Sequence, residues 1–377
     1  MIETPGILLT VLAFALVIGP LVFLHELGHY LAGRWFGVKA EEFSIGFGRE
    51  VAGITDKRGT RWKFGWLPLG GYVKFAGDMN PAGQPSPEWL ALPAHERAQT
   101  FQSKPLWQRA IIVAAGPIAN FIVAILILSA FALAYGDNRT PATVGSVIAG
   151  SPAAAAGLQP GDRITAMSGR SVETYGDLLK YTQLRPNEAV RIDYERAGQA
   201  QAVDAVIGMR TETDRFGNEY RVGRLGIGAS APVQEPVGLL EAPLVGIRMT
   251  ADIVQMTLDG LGQIITGRRS VAELGGPLKI AQVSGERLAL GATEFVFLIA
   301  LISINLGFIN LLPVPVLDGG HLLLYAVEAV RRRPVEPQFV EWAFRGGMLA
   351  ILALMLLVTF NDLGAIGVWR NLAGLIG

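Results

Sequence analysis

Residues 21–33 read LVFLHELGHYLAG. The flanking residues are apolar enough for a lipid bilayer, yet His25, Glu26 and His29 sit in their midst. An ionisable side chain at the centre of a span costs on the order of 3 kcal/mol and by default marks a functional site. Two questions follow from this stretch: how many such helices the chain has, and what makes three ionisable groups tolerable in one of them.

The 377 residues are 51% hydrophobic and only 17% charged, too apolar for an ordinary soluble protein. A spanning helix needs ~20 mostly apolar residues. Four stretches qualify: Ile7–Leu24 running into the quoted motif, Ile111–Tyr135, Phe295–Leu317, and Met348–Phe360 with its flanks. The last is the shortest and is bracketed by Arg345 and Asp362. The chain has no cysteine, which excludes disulfides, thiolate metal sites and cysteine nucleophiles. A net charge of zero without long charge runs argues against a nucleic-acid partner.

The opening MIETP is acidic where a signal peptide is basic, so the first apolar run reads as a retained span. Lys and Arg gather after span one, from Arg34 to Lys74, and after span three, at Arg331, Arg332 and Arg333. The positive-inside rule puts both segments in the cytoplasm, and the long segment from about 136 to 292 outside.

His25 and His29 are four apart, so on a helix they share one face. Glu26 lies about 100° round, badly placed as a ligand but near enough to reach a water on the metal. This H-E-x-x-H spacing is the one in which two imidazoles bind Zn²⁺ and the glutamate takes the proton of the bound water. A cation with its ligands is what makes the three groups tolerable. Gly28 leaves room there for a substrate or another helix. A catalytic zinc takes three protein ligands, so one more is needed at the same depth. Span three ends NLLPVPVLDGGH, residues 310–321, with Asp318 in its cytoplasm-proximal part. Pro313 and Pro315 weaken the helical ladder, and Gly319–Gly320 make the backbone permissive. Such irregularity at membrane depth is tolerated only where protein or a watery cavity surrounds it. A fourth ligand would close the water position, so His321 is read as a supporting or helix-surface residue. His95, in the polar first loop, is read as a solvated histidine.

HELGH in the first span together with NLLPVPVLDGGH in the third resembles the site-two protease family of intramembrane zinc metalloproteases. The four-span layout is similar to its RseP-type bacterial branch with a single PDZ domain. The resemblance implies that His25, His29 and Asp318 hold zinc, that Glu26 activates water, and that Asn310 positions the substrate backbone or oxyanion. It further implies single-span membrane substrates such as anti-sigma factors or signal-peptide remnants, membrane lipid as surroundings, and regulated intramembrane proteolysis at a bacterial inner membrane. RWKFGWLPLGGYVKFAGD, residues 61–78, alternates as a β-hairpin would around Pro68 and Gly70–Gly71. The resemblance implies that its edge strand pairs with the substrate. AAGPIANFIVA, residues 114–124, puts Gly116, Pro117 and Asn120 in span two, read as close helix packing with the amide bonding across helices.

Residues 142–209 alternate short β-branched runs with Gly, Pro and Asp turns, around one helix-like stretch at 175–184. GSPAAAAGLQPGDRITAMSGRSV, residues 150–172, resembles a bacterial PDZ domain, which implies a groove for an extended peptide or chain end. A module that merely blocks access is the alternative. The expected fold is therefore a polytopic α-helical membrane protein with about four transmembrane helices, a cytoplasmic-side β-hairpin and an inserted α+β PDZ-like domain. Its segments run 1–135 with the first two helices, 136–210 for the PDZ-like domain, 211–292 for a linker and membrane-surface helices, and 293–377 for the last two helices. Within the third segment, Ile247, Ile253, Met256, Leu261, Ile264 and Ile265 follow helical spacing, as they would in a helix on the outer membrane face, one packed beneath the PDZ-like module, or plain domain core. The rival function is a non-catalytic PDZ scaffold with a structural metal, whose closed site would want four ligands. A metal-ion transporter would distribute ionisable residues along its spans, whereas here they concentrate at one depth.

Overall fold

The computed structural model describes residues 6–77, 92–183, 185–213, 219–231, 233–265 and 275–365. Residues 1–5, on which the signal-peptide reading rests, lie outside them. Among the described residues four helices are long and apolar enough to cross a membrane. We number the helices α1 (Ile7–Trp35), α2 (Leu106–Tyr135), α3 (Tyr175–Gln183), α4 (Ala242–Ile265), α5 (Pro277–Leu290), α6 (Ala292–Asn310), α7 (Asp318–Arg331) and α8 (Pro337–Ala365). The spans are α1, α2, α6 and residues 338–363 of α8, so the fourth is longer than its apolar core suggested.

The buried side of α1 recurs at Ala13, Val17, Leu21, His25, His29 and Gly33, every fourth position and hence one stripe. Val11, Leu12, Leu16 and Leu31 are exposed, an apolar surface suited to lipid. Ala124 and Leu128 of α2 close a core with Ala300 and Ile304 of α6. Met249, Ile253 and Val254 of α4 pack against that same core, while Met256 and Leu258 stay exposed. α5 packs against α1, α6 and α8. Asp362, buried in α8, accepts the N–H groups of Gly276 and Lys279 at 3.2 and 3.1 Å and so caps α5 from outside.

Between α1 and α2 lies a β-hairpin of β1 (Ala40–Thr55) and β2 (Arg61–Phe75). Its tip falls at residues 56–60, not at Gly70–Gly71 as the alternation implies. Residues 61–64 and 71–74 do not pair with one another; both pair with residues 42–45, one set on each side. The physical reason is burial. Phe43, 1% exposed, stacks on Trp62 at 4.3 Å and meets the rings of Phe23 and Tyr30, so the first part of β1 belongs in the middle.

Span three also ends earlier than its apolar run. α6 stops at Asn310, residues 311–317 are irregular, and Asp318 opens α7. Pro313 and Pro315 explain the break. Val316 adopts φ +89°, which a β-branched residue rarely does. Gly319 and Gly320 are helical, so they are not there for backbone freedom. A Cβ on Gly319 would run into the Leu311 and Leu312 carbonyls, and one on Gly320 would sit 2.8 Å from Pro315 Cα. They let α7 pack under the irregular segment.

Two compact units divide the chain: one holds residues up to Ser129, Gly246–Leu261 and the later helices, the other spans Ala130–Val245. The second is the PDZ-like module. Its main sheet orders Arg170–Ser171, Arg163–Met167, Ala189–Arg196 and Gln199–Val206, with Ile164, Met167, Leu178 and Ile192 at its core. Pairing continues past residue 210: Glu219–Arg224 joins Gly208–Thr213, and Ile227–Ala229 joins Val144–Val147. The Gly-rich stretch is thus partly sheet; its start, 217–218, lies outside the described residues. Leu225 and Ile227 explain this, being buried in the module core. Asp162, 1% exposed in the PGD turn, accepts two 2.7 Å hydrogen bonds from Arg196. A groove of about 220 Å³ lies between α3 and residues 222–227. In it the Tyr175 hydroxyl donates to the Ile227 carbonyl at 2.7 Å.

Candidate metal centre

His25 and His29, on the buried stripe of α1, meet Asp318 at the first turn of α7. The three form a set of ligand atoms able to hold a metal ion. The two Nε2 atoms are 3.2 Å apart, and they lie 3.3 and 3.5 Å from Asp318 Oδ2. A tetrahedral ion with bonds of ~2.0–2.1 Å has ligand–ligand edges of about 3.3–3.4 Å, the size of this triangle. Its chemistry points the same way. Nδ1 of His29 lies 2.9 Å from the Ile112 carbonyl, which can only accept, so Nδ1 carries the proton and Nε2 offers a lone pair. Asp318 Oδ2 is buried without a hydrogen-bond partner among the described residues. Two ring nitrogens and a carboxylate oxygen converging at this spacing fit a zinc ion, and two imidazoles with one carboxylate leave a fourth position for water.

Glu26 is 8% exposed. It lines a cavity of about 710 Å³ together with the three ligands, Asn310 and His321. Gly71, Tyr72 and Val73 form part of the same wall, so the outer strand of the hairpin runs beside the glutamate. The arrangement can polarise a carbonyl, supply a base next to the reacting water, and offer main-chain groups to an extended chain.

Close approach of α1 and α2 holds the imidazoles. A Cβ on Gly28 would collide with the Ala115 carbonyl and lie 2.9 Å from Ala119 Cβ, so the space serves a helix. A Cβ on Gly116 would occupy the His29 ring. Asn120 does more than pack. It is fully buried, and its amide lies 3.0 Å from His25 Nδ1. The spacing held a signal for this: 116 and 120 are four apart, as are 25 and 29, and the two pairs face each other in antiparallel order. His321 packs on Phe344 with ring centroids 4.9 Å apart and takes no part in the ligand triangle. His95 is 76% exposed beside Glu96, a solvated residue as read.

The family model described as Peptidase family M50 matches residues 13–354. A protein of Agrobacterium fabrum, named provisionally as zinc metalloprotease Atu1380, is 44% identical over 94% of this chain and 96% of its own length. Metalloprotease MmpA of Caulobacter vibrioides is 38% identical over 98% of this chain and 99% of its own. Among solved structures, the PDZ domain of an SdrC-like protein from Listeria innocua covers 25% of this chain and 99% of its own, at 23% identity and a TM-score of 0.20.

Proposed function

The chain belongs to peptidase family M50 and is a zinc metalloprotease; we propose that it cuts single-span membrane proteins in or near their spanning segment. The observation that carries this reading is the ligand triangle at the end of a membrane helix, with Glu26 and a strand edge in the same cavity.

His25, His29 and Asp318 are the residues that would hold a zinc ion. Zinc, when bound, supplies Lewis-acid polarisation of the scissile carbonyl and makes water a competent nucleophile near neutral pH. Glu26 accepts the proton of that water and returns it to the departing amine nitrogen. Asn310, which lines the same cavity, orients the substrate carbonyl. A spanning helix satisfies its own backbone, so it resists cleavage until part of it unwinds. The edge at residues 71–73 compensates the amides so exposed, by adding the substrate as a strand. Anti-sigma factors and signal-peptide remnants have the required form: one span with a short flank. Under the positive-inside rule, the basic residues from Arg34 to Lys74 and at Arg331–Arg333 support a site toward the cytoplasm of a bacterial inner membrane, with the PDZ-like module on the periplasmic side.

Glu26→Gln tests the assignment. The variant should retain one zinc per chain, measured by elemental mass spectrometry, while cleavage of a single-span reporter falls about 10²- to 10⁴-fold. Unchanged cleavage would remove Glu26 from the chemistry. A cellular function indifferent to this substitution but lost on deleting 142–209 would favour the scaffold reading.

A further inference from the structure

His25 and His29 are supported differently at the ring nitrogen that faces away from Asp318. The Ile112 carbonyl fixes the proton of His29 on Nδ1. On His25 the neighbour of Nδ1 is the Asn120 amide nitrogen, at 3.0 Å. In this arrangement the amide donates, Nδ1 accepts, and the ring proton sits on Nε2, the nitrogen that must be bare to bind a cation. Asn120 Oδ1 meanwhile is buried without a partner among the described residues. The two ends of a carboxamide have nearly the same shape, so a half-turn of the amide exchanges them. Oδ1 then accepts a proton from Nδ1, and Nε2 is free to ligate.

We propose that Asn120 is a positioning residue of the metal centre: with a cation bound, its side-chain carbonyl accepts the Nδ1 proton of His25, as the Ile112 carbonyl does for His29. Ligating histidines characteristically donate their second N–H to such an acceptor, which sets tautomer and ring orientation. The backbone around Asn120 is braced for the task, since its own carbonyl accepts the buried Ser303 hydroxyl of α6 at 2.8 Å. This inference rests on the zinc site described under the proposed function.

The test compares zinc affinity of the full-length protein in detergent, by chelator competition, for the wild type, Asn120→Asp and Asn120→Leu, with thermal unfolding as the control for folding. A carboxylate can only accept, so Asn120→Asp should bind zinc as tightly as the wild type or more so. Asn120→Leu, which offers no acceptor, should bind about 10- to 100-fold more weakly. Wild-type affinity in Asn120→Leu overturns the proposal. So does an Asn120→Asp that weakens as far as the leucine variant or no longer folds, because His25 would then need the amide N–H. Should Asn120→Leu fail to fold, Asn120→Asp decides alone: wild-type or tighter binding supports the proposal and tenfold weaker binding overturns it. A wild type that binds no zinc overturns the metal-centre reading itself, a result distinct from wild-type and leucine proteins that bind zinc equally.

Discussion

Gly116 shows what one missing methyl group does for the site. A Cβ there would stand where the His29 ring lies; without it the imidazole packs flush against α2 and reaches the Ile112 carbonyl one turn back. Pro117, beside it, already removes one N–H from the α2 ladder. Gly116→Ala forces the ring or the helix to move, and overpacking of this kind costs about 1–3 kcal/mol. We expect a lower unfolding temperature in detergent together with reduced zinc per chain; a variant with wild-type zinc content and melting would show that the contact has slack. At this scale the sequence is most informative where chemistry restricts the choice. Two histidines four apart with a glutamate between them, and one acidic residue just past the end of another apolar run, leave few partners for a zinc ion. Asn120 was less legible, because an amide in an apolar run looks the same whether it bonds a backbone carbonyl or a ligand ring. Only the matching four-residue offset on the facing helix separates the two.

Among the elements, helices were easier to read than their ends. Hydropathy follows the apolar run through residue 317, but two prolines end α6 at Asn310 and make Asp318 the opening residue of a new helix. The hairpin misleads in another way. Alternation reports which residues face inward, not which strand lies alongside, and the burial of Phe43 decides the pairing. In the PDZ-like module the Asp162–Arg196 pair yields a signed expectation. The Arg196 guanidinium, helped by the Gln159 N–H, holds the Asp162 carboxyl below its ordinary value. A folded value lower than the unfolded one stabilises the fold above the ordinary aspartate value, ~3.9, and that contribution fades as pH falls through the folded value. Hydrogen-exchange protection of 163–167 and 189–196, corrected for intrinsic rates, should hold steady from about pH 7 to 5 and drop below about pH 4. Arg196→Met should flatten this dependence; the same drop in both proteins would assign it to other groups.

For the whole molecule, orientation is the property that composition predicts and geometry alone does not supply. The chain contains no cysteine, so a single introduced thiol reports its side of the membrane without background. Gln199 and Glu336 are both exposed, one in the module and the other beyond the Arg331–Arg333 cluster. A membrane-impermeant maleimide added to spheroplasts should label Gln199→Cys and leave Glu336→Cys unlabelled until the membrane is opened. The opposite pattern would invert the assigned topology. The groove of the module is closed by a bond of its own. Because the Tyr175 hydroxyl already holds the Ile227 carbonyl, any chain entering the groove would have to replace that internal bond to use the carbonyl, an exchange with little net gain.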